Sequence, residues 1–143
     1  MITTTLFGNK KILLIIFLFL IAFTNKIYSI ENKILIKVDN AIITTLDIKE
    51  EINYLNTLNP RMKSLSDNEI FNISKNSLIR EKIKKDEISK YVDVIELNNQ
   101  LLENYIESTY RRLGMTSIQE FENHLKSNNL NIEKIKKKIS IEA

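Results

Sequence analysis

The chain has 143 residues, enough for one domain and little more, with 21 basic and 18 acidic residues, one histidine and no cysteine. The lack of cysteine excludes a disulfide framework, a cysteine nucleophile, thiolate metal sites and the modified cysteine of a bacterial lipoprotein. Its two glycines, Gly8 and Gly114, are too few for a glycine-rich phosphate loop or a serine-hydrolase elbow.

The N-terminus reads as a secretory signal peptide over 1–29. Lys10 and Lys11 form a basic flank, Ile12 to Phe23 is an unbroken apolar run, and Thr24 to Ser29 is a short polar exit. Ile27 and Ser29 occupy the positions that a signal peptidase inspects, so cleavage is expected after Ser29, with only transient contact to that enzyme and the export machinery. The apolar run is short against the roughly 20 residues of a membrane span. Retention as an inner-membrane anchor is the alternative to a soluble periplasmic product. Removing 1–29 takes away Lys10, Lys11 and Lys26 and no acid, leaving 18 basic against 18 acidic residues. A neutral mature chain, 30–143, argues against a general nucleic-acid binder, which needs a net basic face.

The mature chain opens with its only β signal. Ile34, Ile36 and Val38 alternate with Leu35 and Lys37, Asp39-Asn40 supplies turn chemistry, and Ala41 to Thr44 returns as the partner strand. A lone hairpin is marginal in water, so it must lie on the helices that follow. Thr44 and Asp47 form a capping-box variant opening a first helix, Thr45 to Leu58, with Ile48, Ile52 and Leu55 as a stripe beside Tyr54. Asn59-Pro60 ends it, and Arg61 to Leu65 connects. Ser66 and Glu69 cap the longest helix, about Asp67 to Lys90, with Ile70, Ile73, Leu78, Ile79, Ile83 and Ile88 expected inward. Its other face carries Arg80 to Glu87 and reads as a solvated surface with pairs such as Glu81–Lys85.

After a β-branched break at Tyr91 to Val94, a third helix is expected from about Glu96 to Leu113, with Leu97, Leu101, Tyr105, Ile106 and Leu113 inward and Gly114 as its C′ stop. Thr116 or Ser117 caps a fourth helix that runs to Ser127, with Ile118, Phe121, His124 and Leu125 spaced along it. Asn128-Asn129 breaks the chain again before a fifth, basic helix with Ile132, Ile135 and Ile139 inward. No C-cap precedes Ala143, so a domain truncated at its C-terminus is expected. The fold class is therefore mainly α, a short β-hairpin followed by about five helices.

Catalytic, cofactor-binding and metal residues are expected to be none. His124 is a single histidine without a second ligand, and reads as an ordinary core-edge side chain. Glu50 and Glu51 are neighbours on a helix and diverge by about 100°, a poor carboxylate dyad. Asn72-Ile73-Ser74 fits a glycosylation sequon, but inside the long helix. Tyr105, Tyr110 and Phe121 are candidates for lining a peptide groove, against the plainer reading of aromatic core at helical spacing.

The stretch Val38-Asp39-Asn40-Ala41-Ile42-Ile43-Thr44-Thr45-Leu46-Asp47-Ile48 resembles the hairpin that runs into the first helix of SurA-type periplasmic chaperones, with Asp39 and Ala41 departing from the usual Asn and Gly. Leu78-Ile79-Arg80-Glu81-Lys82-Ile83 is similar to wording in that family's long helix. Gly114-Met115-Thr116 and Asn129-Leu130-Asn131 follow its order more loosely, and together the likeness spans about 33–142. The resemblance implies a peptide-binding fold of the SurA N-terminal and trigger-factor C-terminal kind. It implies an ATP-independent chaperone that holds unfolded outer-membrane proteins, with no small-molecule substrate. Relatives of this kind carry parvulin isomerase domains, so the front part of a peptidyl-prolyl isomerase, with its catalytic domain beyond residue 143, is the alternative.

Overall fold

The computed structural model describes residues 32–95 and 97–142, and the proposed signal peptide lies outside them. Among the described residues no helix is long and apolar enough to cross a membrane. The order is a two-stranded hairpin, then five α-helices with one 3₁₀ turn, a mainly helical fold as expected.

Strands β1 (Ile34–Val38) and β2 (Ala41–Thr44) pair antiparallel with Val38 opposite Ala41, and a bulge falls between Ile34 and Ile36. The left-handed φ of 48° at this turn belongs to Asp39, a residue type that tolerates it, so Ala41 carries no such strain. Pleat alternation turns Ile36, Val38 and Ile43 inward, where they meet Ile48 and Leu78 with Ile52 and Ile79 packed alongside.

Helix α1 (Thr45–Leu58) opens on the expected box, in which the Asp47 carboxylate accepts from the Thr44 backbone N–H at 2.7 Å. Asn59 ends α1 and starts the 3₁₀ turn Pro60–Ser64, which buries Met62. Helix α2 (Asp67–Ser89) begins with Ser66 and Glu69 in a reciprocal box. Its buried stripe is Ile70, Ser74 and Leu78, whereas Ile73 and Ile83, expected inward, are exposed. A small hydroxyl thus takes the central inward position, one turn from Ile70 on one side and Leu78 on the other.

Helix α3 (Asn99–Arg112) starts three residues later than Glu96, because the Asn98 side chain accepts from the Gln100 N–H and serves as the cap. Leu101 and Tyr105 lie on its open side, contrary to expectation, and Ile106 and Thr109 on its buried side. The stop is a Schellman motif: Gly114, at φ 80°, donates to Arg111 O and Met115 donates to Tyr110 O. Ser117, rather than Thr116, caps α4 (Ile118–Ser127), while Thr116 bonds the Glu120 carboxylate. Asn129, at φ 57°, ends α4 by the same motif, with Leu130 N–H on Leu125 O at 2.9 Å. Helix α5 (Ile132–Glu142) completes the described chain.

Two apolar clusters result. One joins the hairpin to α2 and the first half of α1. The other gathers Leu58, Ile106, Phe121, Leu125, Ile135 and Ile139 from the end of α1 and from α3, α4 and α5. Helix α1 belongs to both, and along it the seam between them carries the buried Glu51.

Candidate functional site

Three helices bring charge to that seam. Glu51 follows Ile48 by one helical turn on the inward stripe of α1, Glu81 follows Leu78 on α2, and Lys138 lies between Ile135 and Ile139 on α5. The Lys138 ammonium donates to Glu51 and, at 2.7 Å, to Glu81. Side-chain exposure is 3% for Glu51, 12% for Lys138 and 20% for Glu81, so this is an interior network. The same ammonium lies 4.5 Å from the Tyr54 ring centroid, in cation–π range. Glu51 Oε1 is buried without a hydrogen-bond partner.

Burial alone would lower the Lys138 ammonium, but the hydrogen bonds and charges of Glu51 and Glu81 outweigh it and hold it above the ordinary lysine value. The amine therefore stays protonated at neutral pH and supplies no free base or Schiff-base nucleophile. Burial, followed by the charges of Glu142, Glu51 and Glu81, pushes the Tyr54 phenol well above its usual range, opposed by Arg112. Both shifts are upward, so the stability they carry is complete below the unfolded values near 10 and 10.5 and is lost as pH rises through the folded ones. The expected outcome is a thermal midpoint that falls steeply above about pH 10, less so in Tyr54→Phe. A flat profile from pH 9 to 12 in circular dichroism melts would contradict this.

Above the network lies an open cleft of about 720 Å³ between α1, α2 and α5, in the size range of small-ligand sites. Leu46, Leu78, Leu130, Ile135 and Ile141 give it apolar lining. Around it are Lys49 from α1, Lys82 and Lys85 from α2, and Lys134 and Lys137 from α5. Lys134 reaches Glu50 at 3.8 Å, one turn along α5 from the Lys138 that Glu51 binds, so the two adjacent glutamates engage different lysines.

The aromatic candidates are placed differently. Phe121 is fully buried, and the Tyr110 ring packs on it with centroids 6.3 Å apart and a 42° tilt. Tyr105 is 46% exposed on α3, and none of the three lines the cleft. His124 Nε2 lies 3.1 Å from Thr57 O, a carbonyl that can only accept, so that nitrogen carries the proton and ties α4 to the end of α1. Among the described residues no group of three or more His, Cys, Asp or Glu could hold a metal ion. Ser74 of the sequon is fully buried in α2.

Sequence reasoning missed the network. Glu81 pairs with Lys138 instead of the expected Lys85, across 57 residues of chain. The available signal was position, since Glu51 and Lys138 each fall on the inward stripe of an otherwise apolar helix face. Comparison with family models, curated proteins and solved structures returns no match to this chain.

Proposed function

We propose that the protein is an ATP-independent periplasmic chaperone module that binds unfolded outer-membrane proteins during their export and folding. The observation that carries this reading is the open cleft with apolar walls between three helices. Its polar floor is an ion network in which Glu51 and Glu81 hold the Lys138 ammonium. Such a site offers a seat to apolar side chains. A second support is apolar surface on the hairpin, where Leu35 and Ile42 are 42% and 46% exposed, available to an extended chain. The signal-peptide pattern of 1–29 and the hairpin wording at Val38 to Ile48 favour the same compartment and class.

Light scattering tests the proposal. A denatured outer-membrane protein diluted from urea should aggregate more slowly and to a lower plateau in the presence of a several-fold excess of this protein, with no nucleotide added. Unchanged scattering at that excess would count against a holdase.

A further inference from the structure

The carboxylates along the cleft are all engaged. Asp47 caps α1, Glu50 faces Lys134, and Glu51 and Glu81 share Lys138. The lysines are not: among the described residues Lys49, Lys82, Lys85 and Lys137 have no ion pair. Three helices therefore surround the hollow with four ammonium groups outside any ion pair, and its lining carries six lysines against four acids. From this charge complementarity we infer that the cleft selects acidic amphipathic peptide segments, with apolar side chains seated on Leu46 and Leu130 and flanking carboxylates on the lysines. This rests on the peptide-binding reading above and adds the chemistry of what is bound.

The shape of the site favours peptide over the other polyanions. A bilayer surface is flat and meets cations on a convex face, whereas here the apolar groups lie inside a hollow. Single-stranded nucleic acid needs aromatic platforms for its bases, and the one aromatic lining the cleft, Tyr54, already has Lys138 against its ring. Charge placed around an apolar contact sets partner choice and encounter rate more than total affinity.

The test is fluorescence anisotropy on the protein in the form the producing cell accumulates, with three short labelled peptides. The first has Asp residues flanking a Leu-Phe-Leu centre, the second has Asn for each Asp, and the third has Ser for each apolar residue. The first should bind about tenfold more tightly than the second at low salt, with the advantage shrinking as salt screens it. Lys85→Glu combined with Lys137→Glu should remove the advantage, while Lys63→Glu, on the 3₁₀ turn outside the cleft, should preserve it. Circular dichroism melts confirm that each variant is folded. Equal affinity for the first two peptides, or an advantage that survives the double reversal, overturns the inference and leaves general peptide binding standing. Failure of all three peptides to bind removes the peptide-binding reading itself. Tighter capture of anionic vesicles or an oligonucleotide through the same lysines also overturns it.

Discussion

Replacing Lys138 with methionine should lower the unfolding free energy by about 3 kcal/mol, although methionine is the more apolar residue and the site is interior. The reason is what remains. Glu51 would keep a buried carboxylate with neither oxygen bonded, since its Oε1 has no partner even with the lysine present. Glu81 would lose its partner as well. Removing one member of a buried network costs about 3–5 kcal/mol, and the lower end applies because Glu81 is 20% exposed and can recover some hydration. The triple replacement of Glu51, Glu81 and Lys138 by Leu, Leu and Met should be far milder, within about 1 kcal/mol of the parent or more stable, because the desolvation cost of all three charges disappears with them. Urea titrations read both effects as midpoint shifts at constant slope. If Lys138→Met costs no more than Lys85→Met, whose lysine is exposed and unpaired, the network contributes nothing beyond a surface contact.

That pair of outcomes bears on why the network exists. It joins α1, α2 and α5 at the boundary between the two apolar clusters, where greasy surfaces could slide past one another. Two carboxylates converging on one ammonium favour the arrangement in which the three helices meet at it. The same three helices form the walls of the cleft, so the register of its apolar lining and its lysines is set from beneath.

Local chemistry was legible in the sequence. Thr44–Asp47 and Ser66–Glu69 cap their helices as written, and Gly114 and Asn129 take the left-handed stops, because a cap depends on residues within four of one another. Spacing also marks Leu125 for the core, and of the two readings open for Phe121 the plainer one, aromatic core, holds. What escaped was the content of the seam. Reading the stripe by residue type assigns Ile73 and Ile83 inward, and the fold exposes both, while Glu51 and Lys138 fill inward positions that residue type alone does not mark. A helical stripe is defined by angle, and its occupant can be Ser74 as readily as leucine when the neighbouring element comes close. The partner that makes a buried glutamate tolerable lies 87 residues away, beyond the reach of any local pattern.

The aromatic residues divide cleanly enough to be tested one against another. Phe121→Ala should cost about 3–5 kcal/mol, because a fully buried ring is removed from the centre of a cluster to which three other helices contribute. Set against a total of about 5–15 kcal/mol for a domain of this kind, that is enough to leave a sizeable unfolded fraction near physiological temperature. The Tyr110 ring, 6.3 Å away, would lose its aromatic neighbour and tilt toward the gap without filling it. Tyr105→Ala should change stability by about 0.5 kcal/mol or less, since that ring is 46% exposed. Measured together with aggregation suppression, the two variants separate packing from contact. Lower suppression by Phe121→Ala at a temperature where it is partly unfolded reports the fold, and cooling restores it. Lower suppression by a fully folded Tyr105→Ala would report a client contact on α3, away from the cleft. Equal destabilisation by both substitutions would contradict the division between a sealed core ring and an open one.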